Sequence, residues 1–324
     1  MKRYLILFCC VMMCSCNAIR QKQLEGIANK MNHSCPIQLN SETVLQSVEA
    51  SSNYTLTYNS TLKGVTAERY RQSIDDYFFK VLKQNMLSAI RQSPEYNYVT
   101  KNEFSLNYNY YDEAGNFIYN ILITPNDVIL YDTEQVSRNV EYNPNAYVDL
   151  GLSVLWADCN VGSIKPEDYG DYYVWGETAP KLSYSSSIVD DVDIEDISGF
   201  ATYDPAAAEW GGAWRLPTRN EMSELVKKCK WTWSEVNGVK GFSVKGPNGN
   251  SIFLPAAGHR QWAKTSLDGA YGYYWTSTPE KTSTTGISGS RFTYALEISE
   301  YRSQRECGPH YRIFGYSVRA VRNK

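Results

Sequence analysis

The stretch from Tyr271 to Arg312 holds residue types that are enriched at binding surfaces. Aromatic faces suit stacking on sugar rings, and arginine suits carboxylates because its guanidinium offers two parallel N–H donors. Part of the stretch must be core, since Tyr294, Leu296 and Ile298 alternate like a strand with one buried face. The remaining candidates for a ligand-binding surface are Arg291, Tyr301, Arg302, Arg305, His310, Tyr311 and Arg312. The alternative is that these side chains only pack the fold.

Patterns typical of catalytic or metal-binding sites do not occur in the sequence. His33, His259 and His310 are scattered, with no His-x-x-x-His or Cys-x-x-Cys spacing around them. We interpret His259, which follows Gly258, as a polar loop residue. Neither a G-x-S-x-G elbow nor a P-loop is present. We therefore expect no enzyme activity, no metal and no cofactor.

The acidic run from Asp190 to Asp196 carries oxygen ligands of the kind that calcium prefers. It departs from the EF-hand pattern, because Asp196 stands where glycine belongs and Thr202 stands where the bidentate glutamate belongs. We interpret the run as a solvated loop.

The charge balance argues against nucleic acid as a partner. The chain has 324 residues, 32 of them lysine or arginine and 35 aspartate or glutamate, for a formal net charge of −3. No basic run occurs along it. Its length predicts two domains, at about 150 residues each.

Residues 1–16 have the features of a lipoprotein signal peptide. Lys2 and Arg3 form a positive start, and Tyr4 to Met13 form an apolar segment too short to span a bilayer. The following Met-Cys-Ser-Cys resembles a bacterial lipobox and predicts lipidation of Cys16. Several acyl chains on one cysteine give stable membrane anchoring. An ordinary cleaved signal peptide is the alternative.

Lipidation predicts a place in the cell envelope, at the outer membrane. The membrane face stays open between periplasm and exterior, because the residues after Cys16 lack the acidic pattern of surface-exported lipoproteins. An exported chain meets an oxidising compartment. Four cysteines then remain, Cys35, Cys159, Cys229 and Cys307, and they allow three pairings. A Cys159–Cys229 disulfide is our preferred pairing, because both lie in structured parts of one domain; buried free thiols are the alternative.

The first half of the chain predicts a ββαββ domain over residues 35–131. Residues 17–34 are polar with a weak helical pattern, and we interpret them as a tether. Strands are predicted at Thr43–Glu49 and around Leu56, then a helix from Thr66 to Ile90, then two strands that end at Ile123. We expect an antiparallel sheet with one helix across it. Residues 132–145 are polar and contain Asn-Pro-Asn, so they are predicted to be a linker.

From residue 146 onwards the composition changes. All eight tryptophans and 18 of the 21 glycines lie beyond this point. Alternating runs separated by glycine-rich turns predict short strands. Thr218 and Glu221 have the spacing of a capping box, and an amphipathic helix follows to Cys229. The chain as a whole is therefore predicted to be α+β.

The second domain carries a series of motifs in a fixed order. They are VDLGLSVLWADCNVG from Val148, PEDYGDYYVWGET from Pro166, WGGAWRLPT from Trp210, WTW from Trp231, GPNGNSIFLPAAGHR from Gly246, YGYYWTST from Tyr271 and GYSVRAV from Gly315. Over residues 146–322 the chain resembles the Fibrobacter succinogenes major paralogous domain of Bacteroidetes-type envelope lipoproteins. That family is similar to the formylglycine-generating-enzyme branch of the C-type lectin fold.

The resemblance implies a scaffold that displays loops. Arg215, Pro217, Thr218 and Glu221, preceded by Trp214, match the RLPT-x-x-E element of that branch. Related C-type lectin domains use the late region as a diversified ligand surface. A calcium site away from the acidic run is supported only by analogy with the fold. The enzyme branch uses a late pair of cysteines, whereas this chain has Cys307 alone there.

The function predicted from these features is that of a non-enzymatic, lipid-anchored envelope protein. Its C-type-lectin-like domain is expected to bind a protein or glycan through its late loops. One alternative is a structural or assembly subunit of an envelope complex. The other is a degenerate formylglycine-generating-type enzyme.

Overall fold

The chain forms two compact units, Met1–Asn139 and Val140–Lys324. The computed structural model describes residues 18–140, 146–184, 196–280, 291–301 and 305–324. The predicted signal peptide, with the lipidation site Cys16, lies outside the described residues. Within them, no helix is both long and apolar enough to cross a membrane. Helices and strands occur in both units, so the α+β prediction is confirmed.

The first unit is built on a five-stranded sheet in the order β1-β2-β3-β4-β5. Its strands are β1 Ile37–Gln38, β2 Thr43–Ala50, β3 Thr55–Leu62, β4 Ser105–Tyr111 and β5 Phe117–Ile123. The four long strands match the prediction, but the fully antiparallel arrangement is wrong because β3 and β4 run parallel. The helical connection between these two strands returns the chain to the end at which β3 began.

In the described part of this unit, five helices accompany the sheet: α1 at 18–32, α2 Ala67–Ser73, α3 Asp76–Arg91, α4 Glu95–Asn102 and α5 Pro125–Val140. The single helix predicted from Thr66 to Ile90 is divided into α2 and α3. Ile74 is extended at the break, and the Asp75 side chain caps α3 by accepting from the Phe78 amide. Helix α4 was not predicted.

The helical pattern noted in residues 17–34 is present as α1, but this helix packs into the first unit and is not a free tether. Leu24 and Ala28 on α1 are buried. The Asn32 side chain exchanges two hydrogen bonds of 2.7 Å with the backbone of Val48 in β2. These contacts make α1 part of the folded unit.

The boundary between the two units lies within the predicted linker at residues 132–145, and the first part of this segment is helical, because α5 continues to Val140. Near its start, α5 buries Val128, and its Asp127 pairs with Lys83 of α3 at 2.7 Å. The helix was missed because the segment is polar and contains Asn-Pro-Asn, and a helix with one narrow buried face is mostly polar.

The described residues of the second unit form short antiparallel strands and two helices, α6 Pro205–Trp210 and α7 Arg219–Lys228. Its strands are β6 Tyr147–Val148, β7 Val154–Ala157, β8 Lys230–Val236, β9 Val239–Lys245, β10 Ser251–Pro255, β11 His259–Gln261, β12 Lys264–Ser266, β13 Tyr271–Pro279, β14 Phe292–Ser299, β15 Glu306–Tyr311 and β16 Val321–Asn323. They form the sheets β6-β7-β16, β8-β9-β10, β11-β12 and β13-β14-β15. The resemblance to a lectin-like fold stays a prediction.

The sheet β13-β14-β15 contributes to two apolar cores. Tyr273 and Trp275 of β13 pack into one core, whereas Tyr274 between them packs into the other. On β14, Leu296 and Ile298 join the second core, as the alternation of the sequence predicted. Successive side chains of a strand point to opposite faces, so one short sheet serves both cores.

The predicted capping box at the start of α7 is confirmed. The Thr218 hydroxyl accepts from the Glu221 amide at 3.3 Å, and the Glu221 carboxylate accepts from the Thr218 amide at 2.8 Å. The same carboxylate pairs with both terminal nitrogens of Arg215, at 2.9 and 2.7 Å. Trp214 and Pro217 are buried beside this pair.

The predicted Cys159–Cys229 disulfide is wrong, and the four cysteines Cys35, Cys159, Cys229 and Cys307 are free thiols. Cys159 is buried with its sulfur 3.4 Å from the carbonyl of Ser163, whereas Cys229 packs against the core that contains Leu296. Burial raises the pKa of the Cys159 thiol to about 12 and that of Cys229 to about 11. Both behave as small apolar groups.

The packing of α1 predicts that Leu24→Ala destabilises the first unit. Removing a fully buried leucine side chain is expected to cost about 2–5 kcal/mol. Hydrogen exchange of peptides from β2 and β3 in the whole chain measures the loss as faster exchange. The control is Ile19→Ala, since Ile19 on the same helix is 59% exposed. Equal protection in both variants would mean that α1 is a tether after all.

Candidate ligand-binding surface

Nine ring-bearing residues of the second unit form a continuous series of contacts. We call this group the aromatic cluster: His259, Tyr271, Tyr273, Trp275, Tyr301, His310, Tyr311, Phe314 and Tyr316. At its centre Tyr316 stacks on Trp275 with ring centroids 4.1 Å apart, and on Tyr273 at 4.9 Å. Stacked and edge-on aromatic pairs each contribute about 0.5–1.5 kcal/mol beyond the area they bury.

Strand alternation places the central rings on one face of β13. Tyr271, Tyr273 and Trp275 are two residues apart, and Tyr271 stacks on Tyr273 at 6.4 Å. Gly272 lies between the tyrosines, where an added Cβ would meet the Pro255 carbonyl oxygen and Ile298 at 2.9 Å. The glycine therefore permits the close approach of the neighbouring backbone behind the rings.

Tyr301 and Tyr311 are the exposed ends of the cluster. Tyr301 is 73% exposed, and its ring lies 6.3 Å from that of Tyr271. Tyr311 is 42% exposed, and the centroid of its ring lies 6.3 Å from that of Phe314 and 4.3 Å from that of Phe292. The structure therefore places both predicted ligand-binding tyrosines at the surface, each supported from behind by other rings.

The two histidines lie inside the cluster. His310 is half-buried, and its Nδ1 lies 2.9 Å from the Tyr316 hydroxyl. His259 belongs to β11 and packs edge-on against Tyr273 at 5.3 Å and Phe314 at 5.4 Å. Burial lowers the pKa of His259. Our interpretation of His259 as a polar loop residue is therefore wrong.

The predicted arginines do not converge on this surface. Arg312 is buried, with its guanidinium 4.2 Å from the Trp175 ring and its Nε donating to the Phe292 carbonyl, so a ligand-binding role for it is wrong. Arg305 packs against Phe242, which belongs to the core that contains Leu296 and not to the one that contains Trp275. Arg291 is exposed, and its carbonyl accepts from the Arg312 amide at 3.0 Å. Arg302 lies outside the described residues.

Trp262 is an exposed aromatic residue that the sequence analysis missed. It lies at the turn between β11 and β12, is 60% exposed and has a φ of +54°. Two backbone hydrogen bonds of 2.8 Å to Tyr184 hold this left-handed conformation, which non-glycine residues rarely adopt. The sequence signal was weak, because a single tryptophan in a polar segment follows no period.

In the ranges that the structure describes, no three His, Cys, Asp or Glu residues are grouped as a metal site. Most of the acidic run 190–196 lies outside those ranges. Asp196 is described, and its carboxylate accepts from the Ser198 amide and the Thr278 hydroxyl. Burial raises the pKa of Cys307 to about 12, which disfavours the thiolate that cysteine chemistry needs. The expectations about cofactors and catalysis stay predictions.

No protein-family model and no curated relative matches the chain. A Pseudomonas aeruginosa protein described as secreted is similar at 13% identity, covering 35% of this chain and 96% of that one, with a TM-score of 0.30. The type 2 secretion pilotin of Vibrio vulnificus is similar at 11% identity, covering 34% of this chain and 96% of that one, with a TM-score of 0.27. The type 2 secretion pilotin of Vibrio cholerae is similar at 11% identity, covering 36% of this chain and 97% of that one, with a TM-score of 0.28. Likenesses at such TM-scores carry no argument about function.

The different environments of Arg312 and Tyr301 predict different effects on stability. Arg312→Ala removes a buried cation stacked on Trp175 and is expected to cost about 2–4 kcal/mol. Tyr301→Ala changes an exposed side chain and is expected to stay within about 0.5 kcal/mol. Urea unfolding followed by tryptophan fluorescence measures both, since every tryptophan belongs to the second unit. Equal stability of the two variants would mean that Arg312 is not a buried structural residue.

Proposed function

We propose that this protein is a non-enzymatic, lipid-anchored envelope protein whose second unit binds a ligand through the exposed ends of the aromatic cluster. A glycan is the preferred ligand class, with a protein as the alternative. The observation that carries the proposal is the unbroken series of ring contacts between Tyr301 and Tyr311.

Support from behind makes these tyrosines suitable for binding. Tyrosine offers a large, rigid face and a hydroxyl at a low cost in conformational entropy. Tyr271 and Phe314 restrict the two exposed rings further, so a ligand immobilises less on binding. The exposed side chains at both ends are aromatic, which favours the flat faces of sugar rings.

The N-terminal sequence supports the envelope anchor. Only Asn17 lies between Cys16 and Ala18, which belongs to the described part of α1, and two steps along the chain span at most about 7 Å. Lipid on Cys16 therefore holds the first unit directly at the membrane surface. Protease treatment of intact cells tests which face it occupies, and complete resistance would contradict binding of an extracellular ligand.

Glycan binding by the whole chain without its signal peptide tests the ligand-binding surface. Tyr301→Ala and Tyr311→Ala are each expected to weaken binding by about tenfold or more, the loss of a hot-spot side chain. Phe200→Ala is the control, because Phe200 is 62% exposed in the same unit and outside the cluster. Binding that survives both tyrosine substitutions, or that falls equally in the control, would contradict the proposal.

A second candidate function is an assembly subunit, favoured by apolar exposure on the first unit. Phe117 and Leu122 of β5 and Ile129 and Leu130 of α5 are between 44% and 59% exposed. Exposed apolar side chains of this size often mark protein contacts. A partner that co-purifies with the wild type and with Tyr301→Ala, but not with an Ile129→Ser/Leu130→Ser variant, would favour this function.

A further inference from the structure

Arg305 lies on an aromatic support away from the aromatic cluster. Its guanidinium carbon is 4.2 Å from the centroid of the Phe242 ring and 5.3 Å from that of Trp231. These rings belong to β9 and β8 and pack with the second core, whereas His310 of β15 faces the first. Arg305, which directly precedes β15, and His310 therefore lie in different environments.

The charge of Arg305 is only partly compensated. Its Nε is buried and has no hydrogen-bond partner, and it forms no ion pair within the residues that the structure describes. Burial also lowers the pKa of the guanidinium. Arg319, by contrast, is buried but donates to four oxygen atoms, those of Asn160, Ala157, Asp158 and Phe253. Contact with aromatic faces offsets part of the desolvation of a cation, and an anion would offset the rest.

Because Nε is buried, a ligand would pair with the terminal nitrogens of the Arg305 guanidinium. The face lies against the rings, while the N–H groups at the edge form the fork that pairs with a carboxylate. Trp231 and Trp233 flank the site, and each packs edge-on against Phe242, at 5.7 and 4.9 Å. Both are only half-buried, and β8 is the last strand of its sheet. An indole face beside a guanidinium fork matches a ring that bears a carboxylate.

We propose that Arg305, Trp231 and Trp233 form a second binding site that takes the carboxylate of an acidic sugar, a uronic acid residue of a glycan. The guanidinium pairs with the carboxylate, and the sugar ring lies against the half-exposed indoles. This site is independent of the Tyr301–Tyr311 surface, so either can fail without the other.

The test is an NMR titration of the whole chain without its signal peptide, following the arginine Nε–Hε resonances. The Arg305 resonance is assigned as the one lost in Arg305→Gln. D-glucuronate is expected to shift it saturably, while D-glucose, which lacks the carboxylate, and N-acetylglutamate, which lacks the sugar ring, bind at least about tenfold more weakly. Arg291→Gln, a change of an exposed arginine in the same unit, is expected to leave the titration unchanged.

Arg305→Lys separates binding from folding, because it keeps the charge but removes the fork. It is expected to unfold like the wild type in urea and to bind glucuronate about tenfold more weakly, measured by the tryptophan fluorescence change on binding. Absence of a saturable shift, an equal shift with D-glucose, an equal shift with N-acetylglutamate, or full binding by Arg305→Lys would each overturn the proposal.

Discussion

The half-buried ion pair between Arg215 and Glu221 is the interaction around which the second unit is arranged. It joins the strand-like segment before α7 to the capping box of that helix. The backbone of Arg215 also exchanges two 2.9 Å hydrogen bonds with Val321 in β16. Removing one partner of such a pair leaves a charge without compensation, which costs more than the pair itself contributes.

The same short segment is tied to two further elements. The Leu216 amide donates to the buried carboxylate of Asp204, which also caps α6. The Pro217 carbonyl accepts from the Ser277 amide of β13. Burial tends to raise the pKa of Glu221, but its hydrogen bonds to Arg215 and Thr218 lower it overall. The stabilisation from this carboxylate is therefore present above its unfolded pKa and is lost as pH falls through the lower folded value.

A frame fixed in this way can support rings at its surface. Buried arginines serve the frame itself: Arg312 stacks on Trp175, and Arg319 bonds to the chain around Asn160. Tyr301 and Tyr311, at the ends of the cluster, differ from these arginines because their side chains are exposed to solvent. The frame therefore determines where the exposed rings of the proposed binding surface point.

Local patterns in the sequence predicted local structure well. Alternation gave the four long strands of the first unit, and the Thr218–Glu221 spacing gave the capping box. The break at Asp75 and the parallel pairing of β3 with β4 depend on tertiary contacts that no local period records. Polarity concealed α5 and the packing of α1, because a helix with a narrow buried face is mostly polar.

Only part of the candidate ligand-binding surface could be predicted from the sequence. Aromatic residues and arginine are enriched at binding sites, but they also pack well together in a core. Composition therefore could not separate Tyr301, which is exposed, from Arg312, which is buried. Arg305, directly before β15, and His310 within it contact different cores, and only the tertiary contacts show this.

The central claim is that the ligand docks on the exposed ends of the aromatic cluster. Site-specific photo-cross-linking in living cells, with benzoylphenylalanine in place of Tyr301, tests it most directly. The account predicts a covalent adduct at this position and none when the same group replaces the exposed Phe200. Adducts only when the group replaces Leu122 on the first unit, with none at position 301, would contradict it.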